Sequence, residues 1–291
     1  MSMRTALIAV ATFLVATWVA PASAAFSSDR FSVEVTGEGP DIIFIPGFSA
    51  GRESFAAEAQ RLSATHRVHL VQLAGFAGEP WTHGEGPFLA PVVEELHRYI
   101  AEGGIKPAIV GHSMGVVVGL MLAQQHPDDV ARLMCIDNLP FFGALYGPAI
   151  TPEIMQPLAQ QSALILLTAS DELMRSSTTT NAERLANDPV ARARMVEWAL
   201  QSDRNAMAAA MREVMVTDLR PGLAAMTMPV TVLYAGDPGG TPLPDTPDNL
   251  FAREYAALAG ATLIRVDGAR HFIMADQPEI FSQHMDVFLA E

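Results

Sequence analysis

Seven short apolar runs, each bounded by turn-forming residues, most constrain what this chain can fold into. Phe31-Ser32-Val33-Glu34-Val35 alternates in period two, as a strand with one wet face does. Ile42 to Ile45, Val68 to Leu73, Ala108 to Val110, Leu133 to Ile136, Val230 to Tyr234 and Thr262 to Val266 are continuously or nearly continuously apolar. Runs of that kind suit strands covered on both faces. Helical patterns lie between them: Ser54 to Leu62, Pro91 to Ile100, Met114 to Gln125, Asp248 to Leu258 and Gln277 to Leu289. This alternation predicts an α/β fold, a mostly parallel central sheet with helices on both faces.

The rhythm breaks once. Residues 139–228 contain no convincing strand, only helical pieces over Thr151 to Thr168, Glu183 to Leu200 and Arg204 to Val216, rich in Met and Ala. The segment leaves from a strand's carboxyl end, where open α/β sheets bind ligands. It is therefore expected to be a helical cap inserted into a single domain over 25–291. Phe141, Phe142, Met155 and Met174 in it point to an apolar, adaptable pocket.

The first 24 residues read as a secretory signal outside the fold. Arg4 is followed by an apolar run from Ala6 to Ala20, then Pro21 and Ala22-Ser23-Ala24, a small-residue cleavage site. The run is shorter than the roughly 20 residues that span a bilayer. The expectation is a periplasmic or secreted protein starting at Ala25, without a stable membrane anchor. Cys135, the single cysteine among 291 residues, lies between apolar neighbours and reads as an inert buried thiol. The net charge of −14 argues against nucleic-acid partners and anionic membrane surfaces.

The chemistry is carried by Gly111-His112-Ser113-Met114-Gly115, between an apolar run and a helical pattern. A serine hydroxyl is a weak nucleophile until a sharp strand-to-helix turn exposes it beside a base. Ser113 is the expected nucleophile. His271 is the expected base, because it follows the last strand run and precedes the closing helix. His112 belongs to the turn and should point elsewhere. His66, His69, His83, His97, His126 and His284 are assigned structural roles. His66 and His69 have no carboxylate or cysteine at ligand spacing, so no metal and no cofactor are expected.

The base needs a carboxylate to hold its tautomer. Two aspartates stand at strand ends: Asp237, after Val230 to Gly236, and Asp137, after Leu133 to Ile136. Asp237 is preferred and Asp137 kept as the alternative, with Asp245 and Asp248 behind them. Two backbone donors are needed for an oxyanion. Met114 N–H, at the start of its helix, is one. Phe48 N–H, in the loop Pro46-Gly47-Phe48-Ser49, is the other.

Taken together, Pro46-Gly47-Phe48, the Gly111 to Gly115 turn and Arg270-His271-Phe272 before a final helix resemble the α/β-hydrolase superfamily over about Phe31 to Phe288. The resemblance implies Ser113 as nucleophile, His271 as base, Phe48 and Met114 as oxyanion donors, and a cap between the sixth and seventh strands of the family's sheet. The chain departs from the family in having Pro46 where many members have histidine. It also has Gly239 where members with this cap often carry the acid, which keeps Asp137 open. An aspartate nucleophile, as in epoxide hydrolases and haloalkane dehalogenases of this fold, is argued against by Ser113. The implied function is a serine hydrolase cleaving an ester or related acyl bond of a small apolar molecule. Carbon–carbon bond hydrolase, lactonase, peptidase and a non-catalytic binding protein are the other readings.

Overall fold

The computed structural model describes residues 26–240 and 242–290. The proposed signal segment, residues 1–24, lies outside them. Seven strands form one sheet: β1 (Phe31–Thr36), β2 (Asp41–Ile45), β3 (Arg67–Leu73), β4 (Ala108–His112), β5 (Arg132–Ile136), β6 (Val230–Ala235) and β7 (Thr262–Val266). Their order is β1-β3-β2-β4-β5-β6-β7, with β1 antiparallel to β3 and every other pair parallel. All seven expected runs are strands.

The helices are α1 (Ala56–Leu62), α2 (Leu89–Gly103), α3 (Met114–Gln125), α4 (Pro152–Thr168), α5 (Asp171–Leu185), α6 (Pro189–Gln201), α7 (Arg204–Val216), α8 (Pro247–Glu254), α9 (Ile273–Asp276) and α10 (Pro278–Ala290). Among the described residues no helix is long and apolar enough to cross a membrane.

Both faces of the central strands are dry, which explains their unbroken apolar runs. Ile43, Ile45 and Ile109 pack into a core with Val92, Leu96 and Leu120 of α2 and α3. Ile42, Phe44 and Val110 pack on the opposite face with Leu62 of α1 and Phe281 and Phe288 of α10. Each such side chain contributes about 1.5–3 kcal/mol when fully buried. Helix α3 is buried from Met114 to Ala123, so it is apolar all round rather than on one stripe. Cys135 is inside this core, and burial pushes its thiol up to about 12, leaving it protonated and inert.

The insertion between β5 and β6 consists of α4 to α7, with α4 packed on α7 and α5 on α6. It follows the fifth of seven strands here. Sequence periodicity anticipated α4 and α7 but merged the end of α5 with α6. The break falls at Asn187-Asp188-Pro189, where the Asp188 side chain accepts the Ala191 N–H and Pro189 opens α6. Helix α5 escaped detection because Ser176 to Asn181 is a polar run without an apolar stripe.

Order in the sheet reverses between β2 and β4: the chain moves outward from β2 to β3, then returns to the other side of β2. Loops after those two strands diverge there and leave a crevice at their carboxyl ends. The loop Pro46–Ala50 and Ser113 both lie at that crevice.

Candidate active site

Ser113 joins β4 to α3 with φ 53° and ψ −120°, a strained conformation for a residue with a side chain. Its N–H is held by the Ile136 carbonyl at 3.0 Å, and its own carbonyl accepts the Val116 N–H at 2.8 Å. The flanking glycines make the turn possible. A Cβ on Gly111 would overlap the Gly115 carbonyl, and a Cβ on Gly115 would overlap the Ile45 carbonyl. Strain at the serine is thus held in place by two backbone contacts that only glycine permits.

His112 is fully buried, and its Nε2 lies 3.0 Å from the His271 carbonyl oxygen. A carbonyl can only accept, so Nε2 carries the proton. Burial, and then the neighbouring His271, hold the His112 pKa well below the usual histidine value. This neutral imidazole ties the Ser113 turn to the loop between β7 and α9 that carries His271. Its ring packs 4.6 Å from that of His271, at the wall of the same cavity.

His271 Nδ1 lies 2.7 Å from Asp137 Oδ2. The other carboxylate oxygen of Asp137 accepts the Ala235 N–H at 2.8 Å, and the Asp137 N–H donates to Leu233 O at 2.8 Å. Backbone groups of β6 therefore fix the carboxylate that faces the imidazole. Asp137 reaches this position through a left-handed backbone, φ 48°, just past β5.

The preference for Asp237 is thereby corrected. Asp237 Oδ2 accepts from Arg270 Nε at 2.9 Å and Oδ1 from the Gly239 N–H at 2.8 Å. Neither oxygen is bonded to His271, and the Arg270 guanidinium holds the carboxyl below its ordinary pKa. Its side chain is 42% exposed against 13% for Asp137. Chain order could not separate the two, because both aspartates fall between Ser113 and His271. Asp245 and Asp248 are engaged elsewhere, with Asn249 and with Tyr234 and Arg265 respectively.

Met114 opens α3, so its N–H is among those that no intrahelical carbonyl can accept, at the positive end of the helix dipole. Phe48 follows β2 across the crevice, and Gly47 lies close enough that a Cβ on it would touch Ser113 Cβ at 3.0 Å. Ser113, Met114, Phe48, Asp137 and His271 all line one cavity of about 650 Å³, roofed by the inserted helices. Phe142 and Met174 line it too. Phe141 and Met155, expected beside them, are instead core residues, with the Arg220 guanidinium over the Phe141 ring.

The roof is fastened to the His271 loop. Phe272 N–H donates to Leu185 O at 3.0 Å, and Arg270 Nη1 to Glu183 O at 2.6 Å. Asp276 accepts the N–H groups of Asn187, Asp188 and Arg270. Sequence reading missed Asp276 and Glu183, and the contacts of Arg270, because their partners are brought together only by the tertiary fold.

Residues 42–284 match the sequence pattern of the alpha/beta hydrolase family. The chain belongs to that family. This hydrolase is 25% identical over 227 residues to a pimeloyl-[acyl-carrier protein] methyl ester esterase of Vibrio atlanticus, covering 74% of the chain and 83% of the relative. It is 30% identical over 133 residues to the protein of the same name from Aeromonas salmonicida. That match covers 45% of this chain and spans about half, 51%, of the relative's length. In fold it is similar to an enol-lactonase from Burkholderia xenovorans, with TM-score 0.74 and 20% identity over 90% of this chain and 96% of the other. An esterase from Thermogutta terrifontis gives TM-score 0.74 and 20% identity over 89% and 93%.

Proposed function

We propose that this hydrolase cleaves carboxylic esters of small apolar molecules through a covalent acyl-enzyme. The observation that carries the reading is the 2.7 Å contact of His271 Nδ1 with Asp137 Oδ2 in the same cavity as the strained Ser113 turn. In this reading Nδ1–H donates to Asp137, which leaves the Nε2 lone pair free to take the Ser113 proton. Ser113 Oγ attacks the ester carbonyl, and the oxyanion is received by the N–H groups of Met114 and Phe48. His271 returns the proton to the departing alcohol. Water, activated by the same imidazole, then releases the acid. Similarity to proteins named as methyl ester esterases supports ester cleavage.

The cavity supports an apolar substrate. Its wall includes Leu166, Met207, Met211 and Val214 as well as Phe142 and Met174, and its volume suits a ligand of drug-like size. Nitrophenyl esters from acetate to octanoate test this. Each added methylene buries about 0.8 kcal/mol of apolar surface, so kcat/KM should rise by up to about fourfold per step. A flat series, or no hydrolysis of any member, would overturn it. Export is part of the proposal, on the strength of Arg4, the Ala6 to Ala20 run and Ala22-Ser23-Ala24. The mass of protein recovered from the producing cell should correspond to a chain beginning at Ala25, and retention of residues 1–24 would refute that step.

A further inference from the structure

Away from the cavity, two chain segments, residues 94–97 and 126–129, bring two imidazoles and two carboxylates together. His97 lies on α2 and His126 follows the last residue of α3; their rings stack with centroids 3.8 Å apart and planes 9° from parallel. Asp129, in the short 3-10 turn Pro127–Asp129, places Oδ2 2.6 Å from His97 Nδ1. One donor atom from each of these three residues lies within 4.8 Å of the others. Glu94, on α2 like His97, brings Oε1 to 3.5 Å from His126 Nε2. That nitrogen is shut off from solvent and has no hydrogen-bond partner among the described residues.

An imidazole nitrogen that is dry and unbonded, beside a second imidazole and two carboxylates, is a vacant donor in a mixed nitrogen–oxygen set. We propose that His97, His126 and Asp129 bind a divalent late first-row cation of the zinc class, with Glu94 completing a tetrahedral shell. The donor chemistry selects the ion. Imidazole with carboxylate suits zinc, whereas calcium and magnesium take all-oxygen sets. Zinc to nitrogen or oxygen distances of about 2.0–2.2 Å place donors about 3.3–3.6 Å apart, so the His97–Asp129 pair at 2.6 Å must open while the wider pairs of the set close. Rotation of the half-exposed His97 and the exposed Glu94 supplies that movement. Spacing along the chain hides the set, because His97 on α2 and His126 just past α3 are far apart in sequence and meet only when α2 packs on α3.

The ion would not touch the reaction. Helix α3 separates Ser113 from His126, and its 12 residues extend about 18 Å. Its effect would be to clamp α2 to the turn between α3 and β5, stabilising the fold by mass action.

The test uses the full chain stripped with a chelator and titrated with zinc chloride against a chromophoric competitor, with thermal melting in parallel. One zinc per chain, a Kd at or below about 1 µM, and a Tm rise of about 5 °C at a hundredfold excess over Kd are expected. His97→Gln and Asp129→Asn should each weaken binding at least tenfold while ester hydrolysis stays at the unsubstituted rate. X-ray absorption on the zinc-loaded unsubstituted protein should show two imidazoles in the shell, which keeps the test independent of how the variants fold. Absence of stoichiometric binding, binding unchanged in both variants, or a shell without imidazole would each overturn the proposal.

Discussion

Asp137 and Asp237 show how a side chain's role is set by what holds its oxygens. One oxygen of Asp137 is anchored by the Ala235 N–H, and the other is left to His271. Both oxygens of Asp237 are occupied by Arg270 and Gly239. Asp137→Asn should therefore lower kcat for a nitrophenyl ester by about 10³- to 10⁴-fold, since an amide favours the wrong imidazole tautomer. Asp237→Asn should stay within a few-fold; steady-state kinetics on the two variants decides. His112 makes a second prediction. Its folded pKa is depressed, so below the ordinary histidine value the unfolded chain binds a proton that the folded chain refuses. Its stabilising contribution is complete above about pH 6.5 and shrinks as pH falls from there, by up to about 1.4 kcal/mol per pH unit. Urea melts between pH 7 and pH 5 should show that slope, reduced in His112→Gln; His69, also lowered by burial, supplies a remainder. The positions of Ser113 and His271 were legible in the chain because each is tied to a local pattern, a glycine-flanked turn and a strand end. Which carboxylate contacts His271 was not, because two aspartates satisfy the same local description and only the pairing of β5 with β6 separates them.

At the scale of elements, strands were the readable part. Double burial writes itself as continuous apolar residues, and β2 to β6 carry that signature. Helices lying over the cavity were less readable. They bury small patches against each other and against the substrate space, so α5 and α6 lack the long apolar stripe of α2. Their position depends on polar fastenings instead. Asp276 is the centre of one, accepting three N–H groups from the α5–α6 turn and the His271 loop. Asp276→Ala should cost about 1.5–3 kcal/mol of stability, the range for hydrogen bonds to a charged group. It should also lower kcat for the longer esters, because the same contacts hold His271 under the roof. A urea midpoint and rates equal to the unsubstituted protein would refute the fastening.

For the whole molecule, the sheet's order reversal between β2 and β4 sets where chemistry can occur. It opens a crevice at the carboxyl ends of the strands, and the insertion after β5 covers it. Ser113, His271 and Asp137 come from three separate loops, yet all converge there because parallel strands deliver every carboxyl end to one edge. The net charge of −14 is spread over the surface and does not bear on that convergence. In the proposed mechanism this convergence activates one serine. Intact mass after treatment with a fluorophosphonate, followed by peptide mapping, measures that directly. A single phosphonyl group per chain is expected, on Ser113, and none in Ser113→Ala. An unmodified chain, or an adduct on any other residue, would contradict it.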